Sequence, residues 1–254
     1  ELQIIEKSAF VKSSIQRISL PKSLKKIRSE AFGWCKNFKT IEIPEDSELV
    51  SIEQKAFCFS IVDKIFIPPK LEELDDPYAS QLIYISVSPK NKNFCVYNGQ
   101  LLLYKSDPLQ INFDKVIIAL SNLENIIIPS FIKYLYPYSF IGCKNLKTIE
   151  FTYDSELFLI GESTFSKSSI ENITIPKHVK RIERYTFQYC DKLKCLEFSE
   201  DSELVSFEDS AFSFSTIEKL FIPSKVEKLN QNWCISANYL SDISVSPKNK
   251  HFTF

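Results

Sequence analysis

The 254-residue sequence has no methionine, four glycines and two histidines. Each scarcity removes a class of chemistry. Glycine normally makes up about 7% of a chain, so four of them leave little material for the backbone-lined loops that cradle phosphates. His178 and His251 lie far apart and outside any nucleophile–base motif, which leaves a hydrolase almost nothing to work with. Lysine and arginine total 31 against 32 acids, so a net charge of −1 gives no bulk attraction to nucleic acid or anionic lipid. Long apolar runs are also missing. The densest are Val116–Leu120 and Ile126–Ile128, whereas a helical bilayer span needs about 18 consecutive apolar residues. No membrane insertion by this segment is expected. Seven cysteines, an odd number, cannot all pair within one chain, and neither a C-x-x-C pair nor a calcium-loop spacing is present. The expectation is a non-enzymatic chain with no catalytic residues, no cofactor and no metal. Its 44% hydrophobic and 25% charged composition is that of a folded, water-soluble core.

What the sequence does have is repetition. An apolar template, L-x-x-I-x-I, opens at Ile15, Phe38, Val62, Leu82, Leu123, Leu146, Ile170, Leu193, Ile217 and Leu240. Steps of 20 to 24 residues separate the copies, except for one step of 41. Prolines such as Pro21, Pro44, Pro68, Pro129, Pro176 and Pro223 follow the template directly, and proline cannot donate to a ladder, so each marks a strand end. Between templates a small residue precedes phenylalanine, as in Ala31-Phe32, Ala56-Phe57, Thr164-Phe165, Thr186-Phe187 and Ala211-Phe212. The I-x-I stretch reads as a half-buried strand, and the small-Phe pair fills the core from the opposite wall. One coil alone cannot bury both walls. Stacked coils can, with parallel strands about 4.8 Å apart.

A longer period lies above the short one. FVKSSIQRISLPK at Phe10 returns as FSKSSIENITIPK at Phe165, a shift of 155 residues, and residues 156–254 repeat 1–96 with a slip of three in the loop holding Trp233. The long step contains an Asn98-Gly99 turn signal between β-rich segments, predicting a hairpin inserted at about 91–120. Residues 1–254 thus read as a single solenoid of ten strand templates. The chain opens inside one DSEL turn and stops opposite Val96, as a window cut from a longer array would. With glycine so scarce, the corners are expected to be turned mainly by proline, serine and aspartate.

The segments AFGWCKNFKTIEIP, SFIGCKNLKTIEF and TFQYCDKLKCLEF resemble the BspA-type leucine-rich repeat. The likeness covers nearly the whole chain. The hairpin and the DSEL turns at Asp46, Asp154 and Asp201 resemble those of BspA-like surface antigens of parasitic protists. The resemblance implies a β-rich leucine-rich-repeat solenoid, α/β horseshoe-like, with parallel strands on one face and short helical or irregular segments on the other. It further implies a cell-surface or extracellular protein that binds a protein or glycan ligand on host cells or extracellular matrix. An intracellular protein–protein interaction scaffold is the alternative.

In the I-x-I template the intervening positions point out of the strand face. Most are small or charged, but Phe66, Tyr84, Ile127 and Phe221 are large and apolar, and Lys64 and Lys219 stand beside two of them. These six residues form the expected ligand-binding set, since aromatic groups on a rigid surface make binding hot spots. Cys35, Cys143 and Cys190 share one repeat position and read as core thiols, whereas Cys195 projects from the strand face. The DSEL carboxylates read as solvated turn charge. Asn172-Ile173-Thr174 matches a glycosylation acceptor, usable where the strand face is open.

Overall fold

The computed structural model describes residues 2–75, 80–107, 109–199 and 201–252. Glu1, Glu200 and Phe254, which enter the long-period alignment, lie outside them. The chain divides into two compact units: Glu1–Phe113 with Ile117–Ser121, and Asp114–Val116 with Asn122–Phe254.

Strands of the first unit run β1 (Ile4–Ile5), β2 (Arg17–Ser19), β3 (Lys26–Ile27), β4 (Thr40–Glu42), β5 (Ser51–Ile52), β6 (Lys64–Ile67), β7 (Glu73–Leu74), β8 (Tyr84–Val87), β9 (Phe94–Tyr97) and β10 (Leu101–Tyr104). β11 (Lys115–Ala119) contributes its last three residues to this unit and its first two to the other. The second unit continues with β12 (Asn125–Ile128), β13 (Tyr134–Leu135), β14 (Thr148–Phe151), β15 (Leu159–Ile160), β16 (Asn172–Ile175) and β17 (Arg181–Ile182). It ends with β18 (Cys195–Phe198), β19 (Ser206–Phe207), β20 (Lys219–Ile222), β21 (Lys228–Leu229) and β22 (Asp242–Val245).

Each unit is a β-solenoid of stacked parallel strands. Template strands β2-β4-β6-β8 form one wall of the first unit, and the two-residue strands β1-β3-β5-β7 form another. In the second unit the template wall is β12-β14-β16-β18-β20-β22, and the two-residue strands β13-β15 and β17-β19-β21 form another. Register follows the template. Asn172 lies opposite Cys195 and Ile173 opposite Leu196, which keeps every inward position in line with the next. Ile65 and Ile67, Ile173 and Ile175, and Leu220 and Ile222 are all buried, so alternate residues of each strand enter the core. Corners after the strands close on proline, whose carbonyl accepts from the amide three residues on, as Pro176 does from Val179 at 3.2 Å.

The third wall consists of turns. The phenylalanine of each small-Phe pair points inward, and Phe165, Phe187 and Phe212 stack at 5.4 Å steps with no solvent exposure. Ala31, Ala56, Thr164, Thr186 and Ala211 are equally closed off, which explains why the residue before phenylalanine is small. Where it is threonine the hydroxyl is satisfied, Thr186 Oγ1 donating to Glu183 O at 2.7 Å. Amide-to-carbonyl bonds link successive turns, for example Phe187 to Ala211 at 2.8 Å and Tyr189 to Ser213 at 3.0 Å. Among the described residues no segment is helical, so of the helical or irregular alternatives the irregular one is present.

Left-handed backbone flanks every such turn. It occurs at Ser8 and Lys12, Glu30 and Trp34, Lys55 and Phe59, Tyr138 and Gly142, Ser163 and Lys167, Tyr185 and Tyr189, and Ser210 and Phe214. Asn232 and Ser236 repeat the pattern around Trp233-Cys234, so the loop expected to hold the extra residues forms a turn of the same kind without a small-Phe pair. Serine takes four of these left-handed positions and lysine and aromatic residues several others, so at the turn wall proline, serine and aspartate share the corners with other residue types. Glycine is demanded elsewhere, at Gly161, where a Cβ would lie 2.7 Å from the nitrogen of Pro137.

Within the first unit β9 and β10 pair antiparallel and turn at Asn98 and Gly99, both with positive φ. The Phe94 ring packs against Tyr104 with centroids 4.8 Å apart and is buried, and Leu101, Leu102 and Leu103 are buried with it.

Candidate binding surface

The strand face presents the residues that alternate with the buried apolar ones. In the first unit Lys64 lies opposite Tyr84, and Phe66 opposite Ser86, which gathers three of the nominated residues on two adjacent strands. Tyr84 is 55% exposed, Lys64 is exposed, and Phe66 is half-buried. In the second unit Lys219 and Phe221 sit two apart on β20, with Phe221 40% exposed. Ile127 is 59% exposed on β12, four strands from β20 in the same sheet, about 19 Å at ordinary strand spacing. The second unit therefore does not bring Ile127 together with the Lys219–Phe221 pair.

Around these groups the face is laced with hydrogen bonds from strand to strand. Ser19 donates to the Glu42 carboxylate, Thr148 to Asn125 Oδ1 at 2.7 Å, and Thr174 to Glu197 at 3.0 Å. Asn172 is exposed, and its Oδ1 accepts from the Cys195 thiol at 3.1 Å. Cys195 is half-buried; desolvation first, then the Glu197 and Glu218 charges, push its thiol above the usual range.

The core thiols fit their reading. Cys35 donates to Phe10 O at 2.8 Å and Cys190 to Phe165 O at 3.1 Å, each from a buried position. Burial lifts Cys143 and Cys190 to about 12. In the DSEL turns Lys22 meets Asp46 at 2.7 Å and Lys177 meets Asp201 at 2.5 Å. These lysine contacts hold both carboxyls below the ordinary aspartate value, so the turn acids act as ion-pair partners. Among the described residues no group of histidine, cysteine and carboxylate side chains could hold a metal, and no helix is long and apolar enough to cross a membrane.

The turn wall carries exposed aromatic residues that the strand template could not reveal. Trp34 stacks on Phe59 at 4.1 Å, and Tyr189 on Phe214 at 4.9 Å. Their signal in the sequence is an aromatic residue two places after a core phenylalanine, as in Phe32-Gly33-Trp34 and Phe187-Gln188-Tyr189.

Residues 2–98 and 113–246 match the model of the BspA type leucine rich repeat region in six copies. No curated protein matches the chain. Among solved structures, the chain is similar to the pneumococcal vaccine antigen PcpA at 25% identity and a TM-score of 0.82, covering 98% of this chain and 60% of that one. It thus spans about three fifths of that antigen. A leucine rich cell surface protein from Faecalibacterium prausnitzii is similar at 19% identity and a TM-score of 0.83, covering 96% of this chain and 69% of that one. A leucine-rich repeat protein from Eubacterium ventriosum follows at 19% identity and 0.73, covering 95% and 70%. The last two likenesses concern the fold.

Proposed function

The chain belongs to the BspA-type leucine-rich repeat family, and from that premise we propose that it is a non-enzymatic cell-surface binding module. Its ligand is a protein or glycan on host cells or in extracellular matrix, and its contact surface is the strand face. One observation carries the proposal: Lys64, Phe66 and Tyr84 project side by side from strands whose alternate residues, Ile65, Ile67 and Ile85, are locked in the core. A sheet anchored in this way holds its outward rings with little left to order on binding, and that is what makes aromatic groups efficient anchors. Two similar structures are described as a vaccine antigen and a cell surface protein, which supports the surface location.

The double variant Phe66→Ala/Tyr84→Ala should reduce attachment of the purified chain to cultured host cells by about tenfold or more. Its thermal unfolding should stay close to that of the parent, because Tyr84 is 55% exposed and Phe66 is only half-buried. Undiminished attachment by a folded variant would remove the strand face from the proposal.

A second reading is favoured by the cysteines. Cys35, Cys190 and Cys195 are thiols that donate hydrogen bonds, a state that reducing compartments maintain, and this fits an intracellular scaffold for partner proteins. Antibody labelling of intact against permeabilised cells separates the two: staining only after permeabilisation would select the scaffold.

A further inference from the structure

We propose that in each unit the turn wall is a second contact surface, in which a stacked pair, Trp34–Phe59 in the first unit and Tyr189–Phe214 in the second, binds a partner-protein segment that combines an apolar side chain with carboxylates. The four rings occupy one repeat position, the second left-handed residue of the turn, with φ of 62°, 56°, 57° and 58° respectively. A bulky L side chain is among the least favourable occupants of that backbone. The turn does not require it. Gly142 and Ser236 make the same turn in other coils, as do Lys12 and Lys167. Nor does the core require it: the four rings are 39% to 47% exposed, while Phe32, Phe57, Phe187 and Phe212 two residues earlier are fully buried.

Comparison of the two copies points the same way. Between positions 155 apart, Gly33 has become Gln188, Lys36 has become Asp191 and Cys58 has become Ser213. Trp34 has become Tyr189, and Phe59 has remained phenylalanine at Phe214. Of the adjacent residues Gly33 and Cys58 differ while Cys35 and Ser60 recur as Cys190 and Ser215, and both exposed, strained positions stayed aromatic.

The stacking geometry and the surrounding charge define the occupant. Within each pair the rings face each other at 4.1 and 4.9 Å, so no gap remains for a base or sugar ring between them. What they offer is an apolar rim. In the first unit Lys12 occupies the equivalent position one coil before Trp34, and Lys36 follows Trp34 by two residues; both are exposed. In the second unit Tyr189 and Phe214 line a shallow groove of about 430 Å³ with Lys144, Lys167 and Asp191. Two lysines line this groove against one aspartate, Asp191, which meets Lys144 at 3.2 Å. An apolar side chain seated on the rim, with carboxylates toward the lysines, satisfies both features.

The test pans a random-peptide phage library against the full chain, then measures the enriched peptides on three variants. Glycine replaces all four rings in the first (Trp34→Gly, Phe59→Gly, Tyr189→Gly, Phe214→Gly), since Gly142 makes the same turn. Lysine replaces them in the second, as at Lys12 and Lys167. The third is Phe66→Ala/Tyr84→Ala. Expected are peptides with an aliphatic or aromatic residue beside aspartate or glutamate, bound about tenfold or more weakly by each folded ring variant, weakened by salt, and unaffected by the strand-face variant. No enrichment, basic peptides, or equal binding to a folded ring variant would overturn the proposal. So would ring-dependent capture on heparin, or ring-dependent self-association in sedimentation velocity, which would assign the surface to an anionic glycan or to a second copy of the chain. Undiminished cell attachment of Phe66→Ala/Tyr84→Ala, with ring-dependent peptide binding intact, would count against the strand-face proposal alone.

Discussion

Ser-Val-Ser-Pro-Lys-Asn-Lys occurs at 86–92 in the first unit and again at 244–250 in the second, and the two copies share a local structure but not an environment. Asn91 donates to the carbonyls of Pro68 and Leu71 at 2.7 and 3.0 Å; Asn249 donates to those of Pro223 and Val226 at 2.8 and 3.0 Å. Each Oδ1 also accepts from the second and third amides that follow. Burial differs sharply. Ile85 is 7% exposed and Phe94 2%, in a unit where the β9–β10 hairpin continues from that strand; Ile243 is 37% exposed and Phe252 half-buried. The asparagine clamp is therefore a property of the sequence. The core around it depends on what packs over the coil.

That comparison can be broken at several strengths. The largest effect belongs to phenylalanine: Phe94→Ala should cost about 3–5 kcal/mol, while Phe252→Ala should cost roughly 1 kcal/mol or less, read as the shift in urea unfolding of each variant. Equal costs would mean that the hairpin does not bury Phe94 in solution. The clamp should behave in the opposite way. Asn91→Ala and Asn249→Ala each leave two carbonyls without their donor and should cost about 1–3 kcal/mol alike. A large disparity would show that environment governs the turn after all. Acid should have the smallest effect. Asp46 and Asp201 are held below the ordinary aspartate value of 3.8 by hydrogen bonds from Lys22 and Lys177. Their contribution is thus present above that value and disappears as pH falls through the lower folded value. Both aspartates are fully exposed, so Asp46→Asn and Asp201→Asn should flatten the acid limb of stability only slightly, and equally.

The template made the inward and outward residues of the strands legible. Ile126 and Ile128 are buried while Ile127 between them is 59% exposed, an assignment the period of two makes without ambiguity. The turn wall was less legible. Sequence habit reserves left-handed backbone for glycine, yet here rung-to-rung bonds such as Phe214 N to Ile235 O at 3.1 Å fix it, whichever side chain is present. A tryptophan or tyrosine near a core phenylalanine therefore looks like more core until the backbone shows it turned outward. At the strand face, sequence spacing placed Lys64, Phe66 and Tyr84 together. It could not show that Phe66 is half-buried, which depends on packing around β6.

The strand-face account is tested most directly by chemical footprinting of the chain bound to matrix-coated beads, with lysine and tyrosine modification read by mass spectrometry. Lys64 and Tyr84 should be protected on binding, while Lys26 on the short-strand wall keeps the reactivity of the free chain. Unchanged modification of Lys64 and Tyr84, with protection elsewhere, would contradict the account.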